Sequence, residues 1–185
     1  DSYVYAAVLK PFKPGIILKY GHGGTEQCAA LDQIAHPLIR EALRMTAPEG
    51  WVPQIEITTL ADVPAGTGLG SSSACACALL HAFHTFFGHS HVTRGELAEE
   101  ACRLEMVNLG EPVGKQDAYA SAFGGVALFS INEQGWVIPQ PGIDWRIQEK
   151  LERRLQLYFT GFSRNASEIL RPVAAGGADA NLHAI

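Results

Sequence analysis

The sequence predicts an α+β fold, and three observations carry that prediction. Strand-like runs such as Tyr3–Leu9 and Gln54–Leu60 mix with apolar residues at helical spacing, without strict β-α-β alternation. The 185 residues are 47% apolar and 18% charged, a balance that allows a real buried core. A dense run of glycine and serine, PAGTGLGSSSACACALL from Pro64 to Leu80, joins a strand pattern directly to a helix pattern.

The elements follow in order. Tyr3–Leu9 is rich in aromatic and aliphatic residues, as a strand requires. Pro11, Pro14 and Gly15 mark a turn, and Ile16–Tyr20 reads as a returning strand, so the two are expected to pair as a hairpin. Gly21–Gly24 reads as a loop. Leu38, Ala42 and Met45 recur at helical spacing within Ala35–Met45, and Ala47–Gly50 ends that helix. Ile55 and Ile57 alternate in the strand Gln54–Leu60. Ser71 or Ser72 is expected to cap the following helix, which runs to about Phe87 with almost no charge and is therefore expected to be buried on most sides. Thr93 and Glu96 have capping-box spacing and open a helix to about Asn108. A glycine-bearing loop to Gly114 precedes a short helix over Asp117–Ala122. Gly124–Ser130, Trp136–Pro139 and Leu155–Thr160 read as strands, Ser163 onward as loop then helix, and Ala174–Ala180 as a mobile Gly/Ala stretch. No internal repeat is visible.

Several function classes are disfavoured. The net charge is −5, and no basic run interleaved with aromatics is present, which argues against nucleic acid or an anionic membrane as partner. The apolar runs fall far short of the ~20 residues of a membrane helix, and Asp1–Tyr5 has no signal-peptide pattern. Cys28, Cys75, Cys77 and Cys102 form no CxxC and read as small apolar residues of a reduced, cytoplasmic protein. The pairs His81/His84 and His89/His91 suggest a metal only weakly, because no cysteine or carboxylate pattern accompanies them; surface or capping histidines are the better reading.

The glycine loop has the features of a phosphate cradle. Glycines let backbone N–H groups approach an anion, and the helix N-terminus adds partial positive charge. A Walker loop needs lysine after its last glycine, where Ser71 follows Gly70. A dinucleotide fingerprint needs glycine where Ser71 stands, and a nucleophile elbow needs glycine where Ala74 stands. What fits is P-x-x-x-G-L-G-S-S-S. Pro64, Gly68, Leu69, Gly70, Ser71 and Ser72, with Gly66 in the same loop, resemble the central ATP-binding motif of the GHMP kinases. The bland alternative is a glycine loop that only turns a corner.

A second segment, LEMVNLGEPVGKQDAYASAFGG from Leu104 to Gly125, adds to that resemblance. Phosphoryl transfer to a hydroxyl needs a cradle, a Mg²⁺ to offset charge, and a group that orients or deprotonates the hydroxyl. Asp117 is the candidate for the last role, and Glu105 with Ser72 for the metal. Gly114–Asp117 is similar to the family loop that carries the catalytic aspartate, with Ala118 where glutamine often stands, and Glu105 precedes Asp117 by the spacing of the family's Mg²⁺ glutamate. Asp117 could equally be a helix N-cap and Glu105 a solvated helix residue at the edge of the Leu97/Ala101/Leu104/Asn108 stripe.

Within the GHMP kinases, GEPVGKQDAYASAFGG, Thr25–Leu43 and Tyr158–Leu170 resemble the D-glycero-D-manno-heptose 7-phosphate kinases. That resemblance spans Asp1 to about Leu170. It implies transfer from MgATP to the anomeric C1 hydroxyl of a phosphorylated heptose, feeding nucleotide-activated heptose into lipopolysaccharide or capsule. The substrate's own phosphate calls for a cation; Lys115 and Arg164 are the candidates, each open to a plain surface reading. The implied fold is the GHMP N-terminal domain, ribosomal protein S5 domain 2-like, over residues 1–154, with the start of a ferredoxin-like domain over 155–185. The implied partners are ATP and a sugar phosphate, in a cytoplasmic protein compatible with a homodimer.

The chain departs from the family at both ends. Asp1 falls in what resembles the second strand region, and Ile185 within what should be a second-domain helix. The substrate-binding N-terminal segment and the C-terminal glycine-rich motif have no counterpart here. The activity is therefore expected of a longer parent, and these residues alone are expected to bind nucleotide weakly. Two rivals remain open: a fucose- or galactose-type sugar 1-kinase, and a non-catalytic sugar or nucleotide sensor on the same fold.

Overall fold

The computed structural model describes residues 2–20, 24–89, 91–140 and 142–161. A four-stranded sheet has the order β1-β4-β2-β3, built from β1 (Val4–Leu9), β2 (Gly15–Tyr20), β3 (Gly24–Cys28) and β4 (Gln54–Ala61). The helices are α1 (Pro37–Thr46), α2 (Ser71–Phe87), α3 (Arg94–Cys102), α4 (Gln116–Phe123) and α5 (Trp145–Glu152). A separate ribbon pairs β5 (Phe129–Ile131) with β6 (Val137–Pro139). Strands and helices thus mix as the sequence predicts.

The expected β1–β2 hairpin does not form. β4 lies between the two strands, antiparallel to β1 and parallel to β2. A β1–β2 separation of two strand spacings is roughly 10 Å, and residues 10–14 are long enough to cross it. That crossing is anchored over the start of β4: Gln54 Nε2 donates to the Pro11 carbonyl at 3.0 Å, and the Gly15 amide to the Pro53 carbonyl at 2.8 Å. β4 and β2 take the two inner positions, where Ile55 and Ile57 of the one and Ile16 and Leu18 of the other are all fully buried.

β3 was not expected from the sequence. Gly24, Thr25, Glu26 and Gln27 are polar, as suits a sheet edge, and show no apolar alternation. One sheet face buries Ile16, Leu18, Ile55 and Ile57, and Leu38, Ile39, Ala42 and Leu43 of α1 join the same core. Pro37 stands at the first turn of α1, where its missing N–H is harmless.

α2 is the central helix, packed against β1, α1, α3 and α4. Ala76, Leu79, Leu80 and Phe83 are fully buried. α3 has the predicted capping box, with Glu96 N donating to Thr93 Oγ1 and Thr93 N to Glu96. The helix does not run to Asn108 in α geometry. From Arg103 to Asn108 it widens into a π turn, with Leu109 N donating to Leu104 O five residues back.

The C-terminal part departs further from expectation. Positive φ at Gly124 and Gly125 delays the strand predicted from Gly124, so that β5 begins at Phe129. Leu155–Thr160 is not a strand: Leu155, Leu157, Tyr158 and Phe159 are exposed, and no partner strand pairs with them among the described residues. α5 was not foreseen; Asp144 caps it by accepting from Arg146 N at 2.8 Å. Residues 163 onward, the Ala174–Ala180 stretch and most of the expected second domain lie outside the described residues.

Candidate active site

β4 delivers the chain to the glycine loop, and α2 starts directly after it. Gly66, Gly68 and Gly70 have φ of +77°, +77° and +67°. Gly70, rather than Ser71 or Ser72, is the N-cap, and no side chain caps the helix. The correction has a simple cause: a left-handed cap residue favours glycine, which has no side chain with which to bond the first turn. The first-turn amides of α2 have no acceptor within the helix, which leaves them facing outward at its positive end. Pro64, Gly68 and Leu69 are exposed in the loop, and Thr67 Oγ1 braces it on the Pro64 carbonyl at 3.1 Å.

The serines released from capping turn to Glu105. Ser72 Oγ donates to Glu105 Oε1 at 2.5 Å, and Ser73 Oγ donates to Oε2 at 2.6 Å. Glu105 is only 2% exposed, which replaces the solvated-helix reading with a buried carboxylate satisfied on both oxygens. Ser73 was not singled out in the sequence. Its signal was the third serine of the run, which becomes necessary once a buried carboxylate needs a second donor. A hydroxyl and a carboxylate are hard oxygen donors, the set that suits Mg²⁺ completed by nucleotide phosphates and water. Ser72 remains exposed as a residue, so this pair can be reached from the loop.

Asp117 is the second residue of α4, not its N-cap, which is Lys115. Its side chain is exposed and lies against Gly70; a Cβ built there would stand 3.5 Å from Asp117 Oδ2. Asp117 therefore adjoins the start of α2, where the glycine loop and Glu105 also converge. It borders a cleft of about 510 Å³ lined also by Tyr3, Leu69, Gly70, His81 and Ser121. No lysine or arginine lines this cleft among the described residues.

Lys115 points elsewhere. Its Nζ donates to both oxygens of Glu99 on α3, at 2.8 and 2.9 Å, and Tyr119 donates to Glu99 Oε1 at 2.5 Å. Burial pushes the Glu99 carboxyl up, but the bonds from Lys115 and Tyr119 and the lysine's charge outweigh it and hold it below the usual range. Arg164 lies outside the described residues.

The cysteines are all free. Burial, aided by the Glu105 charge, pushes Cys75 up to about 11 and Cys77 up to about 12, so both stay protonated and neither is a ready metal ligand. His84 is buried, not a surface residue: its Nε2 pairs with Glu100 Oε2 at 2.5 Å. No group of three or more His, Cys, Asp or Glu suited to a metal occurs among the described residues.

The profile of the GHMP kinases N terminal domain matches residues 35–125, which contain the loop, Glu105 and Asp117. The D-glycero-alpha-D-manno-heptose 7-phosphate kinase of Campylobacter jejuni is 37% identical over 112 residues, 60% of this chain and 33% of that protein. A Campylobacter jejuni structure described as a sugar kinase superposes with a TM-score of 0.76 at 25% identity, covering 100% of this chain and 60% of the other. A heptose 1-phosphate kinase structure from a Bacteroides species gives a TM-score of 0.68 at 26% identity, covering 80% of this chain and 51% of the other. The chain thus spans about a third of the length of the heptose 7-phosphate kinase it matches. The loop, the buried glutamate and the aspartate all lie on the elements the profile covers, and residues 35–125 are a GHMP kinases N terminal domain.

Proposed function

We propose that this protein transfers the γ-phosphoryl group of MgATP to the anomeric C1 hydroxyl of D-glycero-D-manno-heptose 7-phosphate. One observation carries the reading: Asp117 lies against Gly70 at the start of α2, where Ser72 and Ser73 engage the buried Glu105.

Each residue has a definite task. Backbone amides of Gly68–Ser72 hold the nucleotide phosphates at the positive end of α2. Ser72 and Glu105 hold Mg²⁺, which when bound offsets charge on the β- and γ-phosphates. Asp117 orients the sugar hydroxyl and accepts its proton. The C1 oxygen forms a bond to the γ-phosphorus, the bond from that phosphorus to the β–γ bridging oxygen breaks, and ADP leaves. The likeness to the Campylobacter heptose 7-phosphate kinase supports the choice of sugar. Its product would feed nucleotide-activated heptose for surface polysaccharide, a cytoplasmic role because ATP is the donor. Arg164 stays the candidate for the substrate's phosphate, since Lys115 is engaged by Glu99.

The test is an ADP-release assay with mannoheptose 7-phosphate, sedoheptulose 7-phosphate, galactose and fucose. Turnover confined to mannoheptose 7-phosphate supports the reading. Turnover on galactose or fucose moves the protein to another sugar 1-kinase. Nucleotide binding without turnover on any sugar leaves a sensor.

A further inference from the structure

Two carboxylates on one continuous rod, α3 and its π turn, each reach a different part of the site. Glu105 meets Ser72 and Ser73 of α2. Glu99 meets Lys115 and Tyr119 of α4. Lys115 and Tyr119 are four apart and share one face of α4. Asp117, at about 100° per residue, stands near the opposite face.

We propose that Glu99 is the positioning residue for Asp117: by gripping Lys115 and Tyr119 on the back of α4, it sets where Asp117 meets the start of α2. This rests on the reading of Asp117 as the group that handles the sugar hydroxyl.

The grip has the properties a positioning device needs. Glu99 takes three short hydrogen bonds from two side chains that bracket Asp117 in sequence. Tyr119 is 4% exposed, and its ring is held by Phe123, stacked at 6.0 Å, and by the edge contact of Phe129 at 5.6 Å. A second contact fixes the far end of α4, where Arg94 of α3 donates to the Phe123 carbonyl at 2.9 Å. α4 is thus tied to α3 at both ends. Because Glu105 sits on the same rod, the metal carboxylate and Asp117 share one frame. Removing the Glu99 contact leaves the aromatic packing in place and frees only the first turn of α4, where Asp117 resides.

The experiment compares Glu99→Ala, Glu99→Gln and Lys115→Met in the full protein, measuring kcat, KM for ATP and for the sugar, and amide hydrogen exchange. Glu99→Ala should lower kcat about 10- to 100-fold, the scale of an ångström-sized misplacement, with KM for ATP changed less than about 2-fold. Glu99→Gln should recover most of kcat, because its amide oxygen still accepts the two bonds made at Oε1, one from Lys115 and one from Tyr119, and only the Oε2 bond is lost. Lys115→Met should lower kcat like Glu99→Ala, and the double variant should lose no more than either single one. Amides of Tyr119–Ser121, whose helical hydrogen bonds run back to the first turn of α4, should exchange faster in Glu99→Ala while those of α2 do not. Unchanged kcat, additive losses, or faster exchange spread equally over α2 would overturn the proposal. A Lys115→Met variant that raises only the sugar's KM would also overturn it and return Lys115 to the substrate phosphate. If the wild-type protein turns over no sugar, the kinase reading fails by itself. The grip is then judged by exchange alone, and unaltered exchange in α4 of Glu99→Ala refutes it.

Discussion

Asp117 and Gly70 adjoin in the lining of the cleft, where a Cβ on Gly70 would stand 3.4 Å from Asp117 Cγ. Gly70 is also the left-handed N-cap of α2, at φ +67°. One residue therefore serves both the turn into the helix and the approach of the carboxylate.

Gly70→Ala is accordingly expected to harm activity more than stability. A non-glycine residue in this conformation costs about 1–2 kcal/mol, and the added methyl group would rest in van der Waals contact with the Asp117 carboxylate, so any backbone adjustment at the cap is passed to it. Thermal melts should show a modest loss while kcat falls at least tenfold. Equal activity in the variant would mean that the Asp117–Gly70 approach is not used.

Asp117→Asn keeps the size of the side chain and removes its ability to take a proton. The expected loss in kcat is about 10²- to 10⁴-fold, the range for a positioned acid or base. Nucleotide affinity, read by fluorescence titration, should stay within about twofold. Retained turnover would sink the mechanism given above.

Glu105→Gln separates charge from shape. The carboxylate is buried, and among the described residues its side-chain hydrogen bonds come from two neutral serine hydroxyls. Neutralising it should leave the unliganded protein as stable or slightly more stable. The stabilisation that MgATP brings, about 2.7 kcal/mol at a hundredfold excess over Kd, should shrink markedly. Melting curves with and without MgATP check both halves; an undiminished MgATP shift in the variant would remove Glu105 from the metal site.

Acid should weaken the fold partly through Glu99 and Glu26. Tyr20's hydrogen bond holds Glu26 below its ordinary range despite burial, and the Ala35 amide adds to it at 2.6 Å. Glu99 is depressed by Lys115 and Tyr119, which outweigh its burial. A carboxyl whose folded pKa is depressed adds stability that is fully present above its unfolded pKa. That contribution is lost as pH falls through the folded value. Stability should thus hold from neutrality to the ordinary glutamate range near pH 4–5 and decline below it. Glu99→Gln should flatten part of that decline in urea titrations run across pH; an unchanged slope would show that the Glu99 contacts add nothing to stability.

Much of the site was legible in the primary sequence because its chemistry is local. Pro64–Ser72 carries its own conformational demands in the glycines, and the three of them at Gly66, Gly68 and Gly70 adopt positive φ. Thr93 and Glu96 lie within one turn of each other, so their reciprocal cap is written in four residues. Asp117 was visible from the loop before it. The Ser71/Ser72 cap was misjudged because serine is a good cap by propensity, while the left-handed entry demanded glycine and a distant carboxylate claimed Ser72 and Ser73.

By itself, then, the sequence determined the α+β class, the glycine loop between β4 and α2, the start of α3 and the place of Asp117 at the start of α4. Each of these depends on residues within a few positions of one another. Only the tertiary structure decided that β4 enters between β1 and β2, that Glu105 is buried, and that Glu99 takes Lys115 away from the cleft. Those outcomes join residues that are far apart in the chain, such as Val8 with Ile57 and Ser73 with Glu105. Their contacts are set by which apolar surfaces bury together and which buried polar groups then need partners. Neither condition leaves a local period in the sequence.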